Sequence, residues 1–298
     1  MLRTFPMHIA YPAPLPHGHI VQLLPDFYVV KGTARIAPGI TVNRNMGIVR
    51  TGDDLLLVNP VRLRRREEER LCDLGRVRQA VRLGYYHGCD DLYYRDRFNA
   101  FFWRQPHSDH YPLPPADETL SDGGPCPVGG GRVFEFSNSN VPEAALLVPL
   151  SGGLLLTCDA LQYWAGWDSC SWAGKWLLRF SGVHRGMQVS SAWRRRATPL
   201  QEDSQRWLAA DFERLLQLPF IHLLGAHGDF CADRAHELVE RAVASSFVRM
   251  RGATAGARRR RTQKPHPQRP PTGGEGPPGS LSAPRVVIRP QPGQRRRP

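Results

Sequence analysis

Five side chains at three places in the chain have the types and the setting for metal-assisted hydrolysis. They are His87, Asp90 and Asp91 in GYYHGCDDLYYRD, Asp159 in TCDAL, and His227 in GAHG. Imidazole nitrogen and carboxylate oxygen form the hard-to-borderline donor set that binds Zn, Fe or Mn. An ion so held lowers the pKa of a bound water and makes a nucleophile near neutral pH. Other groupings offer less. His107 and His110 share a suggestive HSDH spacing, but they lie in a Pro-rich stretch with no strand to hold them. His184, in SGVHRG, reads as a loop histidine. No GxSxG elbow is written anywhere, so a serine-based triad is not assigned. The six cysteines (Cys72, Cys89, Cys126, Cys158, Cys170, Cys231) contain no CxxC pair, which argues against a zinc ribbon and a thioredoxin-type motif and leaves reduced thiols.

These residues matter only if the fold gathers them, and the elements around them predict that it does. Asp26 to Pro60 alternates short β-rich stretches with turn signals, and Gly52-Asp53-Asp54 makes a hairpin before the buried strand Leu55 to Val58. Residues 66–74 read as a helix ended by Gly75; Val77, Val81 and Leu83 then mark a strand that stops at Gly84, directly before His87. Arg95 to Trp103 reads as a helix, and residues 105–132 as a long loop. Strands resume at Val133 to Phe136, Ala144 to Pro149 and Gly153 to Thr157, the last running into TCDAL. Five of the seven Trp fall within residues 162–193, which suggests a lid or a packed crossover. FERLLQL is helical, FIHLLGAHG is a strand ending at His227, and Ala235, Leu238, Val239, Ala242 and Val243 form the stripe of a closing helix. Each polar cluster therefore sits at the C-terminal end of a strand, where strand ends of a layered α/β fold converge on one edge.

Charge and composition bound the rest. With 298 residues and 41% apolar content the chain can bury a sizeable core. It has no run of 18 apolar residues, and Met1 to Ile20 interleaves Pro and His instead of building an apolar signal centre, so a soluble, cytoplasmic chain is expected. From Arg251 onward, twelve basic residues against Glu275 alone account for eleven of the thirteen net positive charges. That Pro, Gly and Arg stretch has little to bury and is expected to be disordered, with Arg258 to Arg261 and Arg295 to Arg297 available to an anionic partner such as RNA or an acidic protein. The expected organisation is a leader over 1–25, one domain over 26–248 and a basic tail over 249–298.

The order strand-HxxxD, strand pair-TxD, strand-xHG resembles the metallo-β-lactamase fold superfamily, which includes thioesterases, lactamases, flavoprotein oxygen reductases and RNA-processing nucleases. The resemblance implies an α/β (α+β) chain folded as a four-layer αββα sandwich with a metal site along one sheet edge. Against the HxHxDH signature this chain reads HGCDDL: His87 matches the first His, Cys89 stands at the second, Asp91 matches the Asp and Leu92 replaces the last His. Asn140 in SNSNVPEA stands where a pre-hairpin His belongs; LLLTCDAL resembles LLFTGDxL and makes Asp159 the bridging carboxylate, and GAHG supplies His227. The resemblance implies one ion, Zn or Fe, held by Asp91, Asp159 and His227, with His87 beside them, Cys89 able to add a thiolate and Asp90 placed to receive a proton. The function it implies is that of a metal-dependent hydrolase with a degenerate, at most mononuclear site. The alternative is a catalytically inactive protein of the same fold that holds no ion, with the tail serving an anionic partner.

Overall fold

Strands between Phe27 and Val58 are apolar on both faces, and in the folded chain the two faces belong to different layers. The computed structural model describes residues 11–107, 109–198 and 202–247; the expected basic tail from residue 249 lies outside the described residues. The chain opens with a meander of β1 (His17–Leu24), β2 (Phe27–Ala37), β3 (Ile40–Thr51) and β4 (Asp54–Val58). Gly52, at φ +61°, and Asp53 form the turn between β3 and β4 that the sequence predicts. Next come α1 (Arg65–Leu74), β5 (Arg76–Arg82), α2 (Asp91–Phe98), β6 (Phe101–Arg104) and β7 (Glu118–Thr119). The pairs β4/β5, β5/β6 and β6/β7 are parallel. Parallel neighbours need a crossover, and α1 and α2 supply the first two. The result is one sheet in the order β1-β2-β3-β4-β5-β6-β7.

The second half begins with β8 (Arg132–Glu135), β9 (Ala144–Val148) and β10 (Leu154–Leu156), followed by β11 (Leu161–Trp164), α3 (Trp172–Phe180), β12 (Gly186–Val189) and α4 (Ser191–Ala197). It closes with α5 (Glu202–Leu215), β13 (His222–Leu224) and α6 (Ala235–Ser246). The second sheet runs β13-β10-β9-β8, and β11 and β12 form a separate ribbon.

Three apolar layers define the sandwich. Tyr28, Val30, Ile48 and Leu57 pack beneath Leu71 of α1 and Tyr94 of α2. Alternate residues Phe27, Val29, Leu56 and Val81 face Val133, Leu146, Leu156 and Leu224 across the space between the sheets. On the far side Phe134, Leu147, Leu155 and Leu223 meet Trp193, Phe212 and Val239 of α4, α5 and α6. Helix, sheet, sheet, helix is the four-layer αββα arrangement expected. No helix among the described residues is long and apolar enough to cross a membrane.

Three local expectations are corrected. The helix expected over Arg95 to Trp103 instead starts at Asp91 and stops at Asn99, which takes a left-handed conformation (φ +50°); Phe101, Phe102 and Trp103 then extend as β6, with Phe101 exposed and Phe102 buried as strand alternation requires. The aromatic stretch 162–193 is not one irregular lid but holds β11, α3, β12 and the start of α4. The leader expected over 1–25 contributes the edge strand β1, because HGHIVQLL pairs with β2 and lays Ile20 on the outer core and Leu24 on the inner one.

Edge strand β1 is pinned by a buried carboxylate. Glu67 Oε1 accepts from the Ile20 amide at 2.8 Å, while Oε2 lies 3.0 Å from His19 Nδ1, with Arg70 alongside. Burial alone would raise the Glu67 carboxyl; the Ile20 amide, His19 and Arg70 outweigh it and hold the group below its ordinary value. Its contribution to stability is therefore present above the unfolded carboxylate value and lost as pH falls through the lower folded one. Glu67→Ala is expected to cost about 1–3 kcal/mol in urea unfolding at neutral pH, and the gap from wild type should shrink in strongly acidic buffer.

Candidate metal centre

Each of the three strand ends delivers one polar side chain to a common point. The segment after β5 carries His87, the turn after β10 carries Asp159, and the turn after β13 carries His227. His87 Nε2 lies 3.2 Å and His227 Nε2 3.3 Å from the same oxygen, Asp159 Oδ1, and the two imidazole centroids are 5.0 Å apart. Both rings thus present Nε2 to one carboxylate. For His227 the reason is plain, because Nδ1–H donates to the Asn43 carbonyl (2.5 Å) and the opposite nitrogen must face Asp159. His87 Nδ1 is buried and finds no hydrogen-bond partner among the described residues, so Nε2 alone carries its polar contact.

Two further groups hold these turns. Glu143, fully buried just before β9, accepts from the backbone amides of Cys158, Asp159 and Ala160 at 2.9–3.1 Å and so clamps the turn that presents Asp159. Asn43 Oδ1 accepts from the Gly228 amide, and Asn45 Nδ2 donates to the carbonyls of Gly225 and Gly228, each at 3.0 Å. The sequence reading did not single out these residues. Their signal was present: Asn43-Arg44-Asn45 interrupts an otherwise apolar strand, and all three are buried.

Electrostatics follow from this packing. Burial works against ionised Asp159, yet the two imidazoles outweigh it and hold the carboxyl far below its usual range. Burial pushes His87 below the ordinary imidazole value, with Asp159 opposing only in part.

Asp90 and Asp91 each pair with a buried arginine. Asp91 is fully buried and pairs with Arg82 Nη1 at 3.3 Å; burial lifts its carboxyl to about 6 against the pull of Arg82 and Arg44. Asp90 Oδ2 accepts from Arg44 Nη1 at 2.9 Å, and Cys89 Sγ from the same nitrogen at 2.7 Å. Arg44 Nη2 donates to the carbonyls of Pro60 and His87 at 2.6 and 3.2 Å. The ligand role expected of Asp91 and the proton-acceptor role expected of Asp90 thus meet competition from two buried arginines, Arg44 of β3 and Arg82 of β5, which supply positive charge to these carboxylates. Burial drives the Cys89 thiol up to about 12 despite Arg44, so it is no ready thiolate. Asn140, the stand-in for a pre-hairpin histidine, is exposed. Cys158 lies closer to the imidazole and carboxylate than Cys89 does, but burial holds its thiol well above the ordinary value, so it too is no ready thiolate. Ligand atoms of His87, Cys158 and Asp159 all lie within 4.8 Å of one another.

Gly84 makes room for that cysteine. A methyl group on Gly84 would stand 2.3 Å from Cys158 Sγ and 2.8 Å from its Cβ. Gly84→Ala is expected to destabilise the protein by about 1–3 kcal/mol through overpacking, and adding Cys158→Gly to that variant should recover most of the loss in thermal unfolding.

His87, Asp159 and His227 line a cavity of about 710 Å³. Its walls include Val42, Trp164, Leu178, Val183 and Trp193, and its rim carries Arg35 and Arg196. The Arg196 guanidinium lies over Tyr86, 5.5 Å from the ring centre. His110 also lines the cavity, packed edge-on against Tyr86, whereas His184 is exposed.

No family model matches the sequence, and no curated protein matches it. Solved structures do. DIM-1 metallo-β-lactamase superposes with a TM-score of 0.53 at 11% identity, covering 78% of this chain and 100% of that one. Metallo-β-lactamase FIM-1 from Pseudomonas aeruginosa, in its mono-zinc form, gives 0.53 at 10% identity over 80% of this chain and 100% of that one. A metallo-β-lactamase from Erythrobacter litoralis gives 0.50 at 11% identity, covering 76% and 92%. The chain therefore has the metallo-β-lactamase fold, at 10–11% sequence identity to these structures.

Proposed function

We propose that His87, Asp159 and His227 hold a single divalent metal ion, zinc or iron, and that the protein is a metal-dependent hydrolase with a mononuclear site. The observation that carries this reading is the position of Asp159 Oδ1, 3.2 and 3.3 Å from two imidazole nitrogens at one end of a roomy cavity. Two donors bound to one ion at about 2.1 Å each stand roughly 3–3.5 Å apart, so the two edges from Asp159 already have the length that ligation requires, and the longer edge between the two imidazoles closes on the ion. The donor chemistry fits as well: His227 is held by its backbone acceptor in the form that offers Nε2, and the unpartnered Nδ1 of His87 leaves that ring free to follow Nε2. With Asp90 and Asp91 neutralised by Arg44 and Arg82, the residues support one ion and not two.

When bound, such an ion supplies Lewis acidity toward water and toward the scissile ester, thioester, amide or phosphoester group. The chain's own groups do the rest. Glu143 and Asn43 fix the two turns that present Asp159 and His227. Trp164, Trp193 and Val183 exclude bulk water from the cavity wall. Arg35 and Arg196 at the rim favour a substrate that carries negative charge. A protein purified without chelator, supplied with zinc and freed of excess is expected to retain about one equivalent by elemental analysis and to turn over at least one member of a panel of activated esters, thioesters and phosphodiesters. Retention of under roughly a tenth of an equivalent favours the inactive binding protein over the hydrolase.

A further inference from the structure

We propose that α3 docks the protein on an anionic lipid bilayer. Helical spacing puts Trp172, Trp176 and Phe180 one turn apart along a single stripe, with Lys175 and Arg179 on the same side. This stripe faces outward. Trp172 is 77% and Phe180 81% exposed, and Trp176 and both cations are exposed as well. Exposure of this kind is costly for large aromatics, and an apolar patch on a surface helix signals a contact that the isolated chain leaves unmade.

The orientation of the helix is fixed by its opposite side. Gly174 is buried directly against β3, where a methyl group would stand 2.0 Å from the Thr41 carbonyl oxygen. Ser171 Oγ caps the helix by accepting from the Gly174 amide at 3.1 Å and also accepts from the Thr41 amide at 3.0 Å. α3 is therefore seated as a rigid rib with its aromatic stripe turned to solvent.

Charge selects the occupant. α3 has no acidic residue, and residues 161–198 contain six Lys and Arg against Asp168 alone. Exposed Arg185 and Arg195 follow in the turn after the helix and on α4. Aromatic rings flanked by cations on an outward helix face match a bilayer interface, where the rings sit at headgroup depth and the cations meet anionic headgroups. A second copy of the chain pressed on the same face would set these cations against their own kind. Single-stranded nucleic acid would need free ring faces along a groove, yet Trp176 and Phe180 stack on each other (5.7 Å, 24°) on a convex helix. The helix also borders the cavity, which Leu177 and Leu178 line, so the docked protein would bring the cavity mouth beside the membrane. The inference does not depend on the metal site, and metal-free protein should dock equally well.

The test uses the full chain with vesicles of phosphatidylcholine alone or mixed with phosphatidylglycerol, read by co-sedimentation and by the blue shift of Trp emission. Wild type is expected to bind the mixed vesicles, less tightly as salt rises, and to leave neutral vesicles largely unbound. Trp172→Ser with Phe180→Ser is expected to weaken binding at least about tenfold, and Lys175→Glu with Arg179→Glu by a similar factor. The exposed positions should leave unfolding midpoints unchanged in both. Wild-type affinity in both variants would mean that the basic tail alone binds, and would overturn the proposal. So would equal binding to neutral vesicles, a lipid-independent dimer that the Trp172 and Phe180 substitutions abolish, or an RNA complex lost in those variants while vesicle binding persists.

Discussion

Asp159→Asn is expected to reduce zinc affinity by at least about a hundredfold, more than the loss of a supporting group around a metal site, and to remove any hydrolytic activity with it. Asp159 Oδ1 lies within hydrogen-bond distance of Nε2 of both imidazoles, so its charge is what joins them. The substitution is nearly isosteric, and the clamp from Glu143 engages backbone amides, so the turn itself stays in place. Titration calorimetry on wild type and variant reads the effect directly. The informative control is Asp91→Asn. If Asp91 belongs to the Arg82 pair and not to the metal, its variant should keep the wild-type zinc stoichiometry while losing about 3–5 kcal/mol of stability, the scale for disturbing a buried ion pair. The reverse pattern, with zinc lost in Asp91→Asn and retained in Asp159→Asn, would return the site to the ligand set that the HxHxDH resemblance implies and reject the one proposed here.

That control marks the line between what sequence patterns reveal and what they conceal. Strand ends were legible because buried strands announce themselves: Leu55 to Val58, Leu154 to Leu156 and His222 to Leu224 are short apolar runs bounded by turn residues. A layered fold must bring such ends to shared edges, and His87, Asp159 and His227 do meet. The fate of Asp90 and Asp91 was not legible, because it depends on arginines 46 and 9 positions away in sequence that reach them only through tertiary packing. Buried Arg44 does leave a trace, as the polar triplet Asn43-Arg44-Asn45 inside β3, but nothing local says which carboxylate it meets. Edge strand β1 escaped notice for a different reason: most of its residues are exposed, so the apolar periodicity that marks inner strands is weak there. The turn at Asn99 hid the break between α2 and β6, since Phe98, Phe101 and Phe102 fit a helical stripe as well as a strand.

A loss of stability as large as that of Asp91→Asn should come from Glu143→Ala. Four contacts run from three consecutive backbone amides into this one carboxylate, and the residue is shut off from solvent at the isolated bridge between Gly84 and itself. Truncation leaves the Cys158, Asp159 and Ala160 amides without their acceptor in a place where water is not freely available, at about 1–3 kcal/mol for a single such group. Because the three share one partner the losses overlap, and a total of about 3–5 kcal/mol is expected in urea unfolding. The same cut frees the turn that aims Asp159 at the imidazoles, so zinc affinity should fall roughly 10–100-fold, the range for a residue that orients a ligand without touching the ion. Glu143→Gln removes the charge and keeps one acceptor. Its amide oxygen still accepts from the turn, and its neutrality removes repulsion with Asp159, which together with burial pushes the Glu143 carboxyl well above its ordinary value. Its NH2 group, however, cannot accept, so one of the clamped amides loses its partner and the variant should regain only part of the stability and part of the zinc affinity. Full zinc affinity in Glu143→Ala would instead show that Asp159 needs no clamp and that the bound ion itself organises the turn.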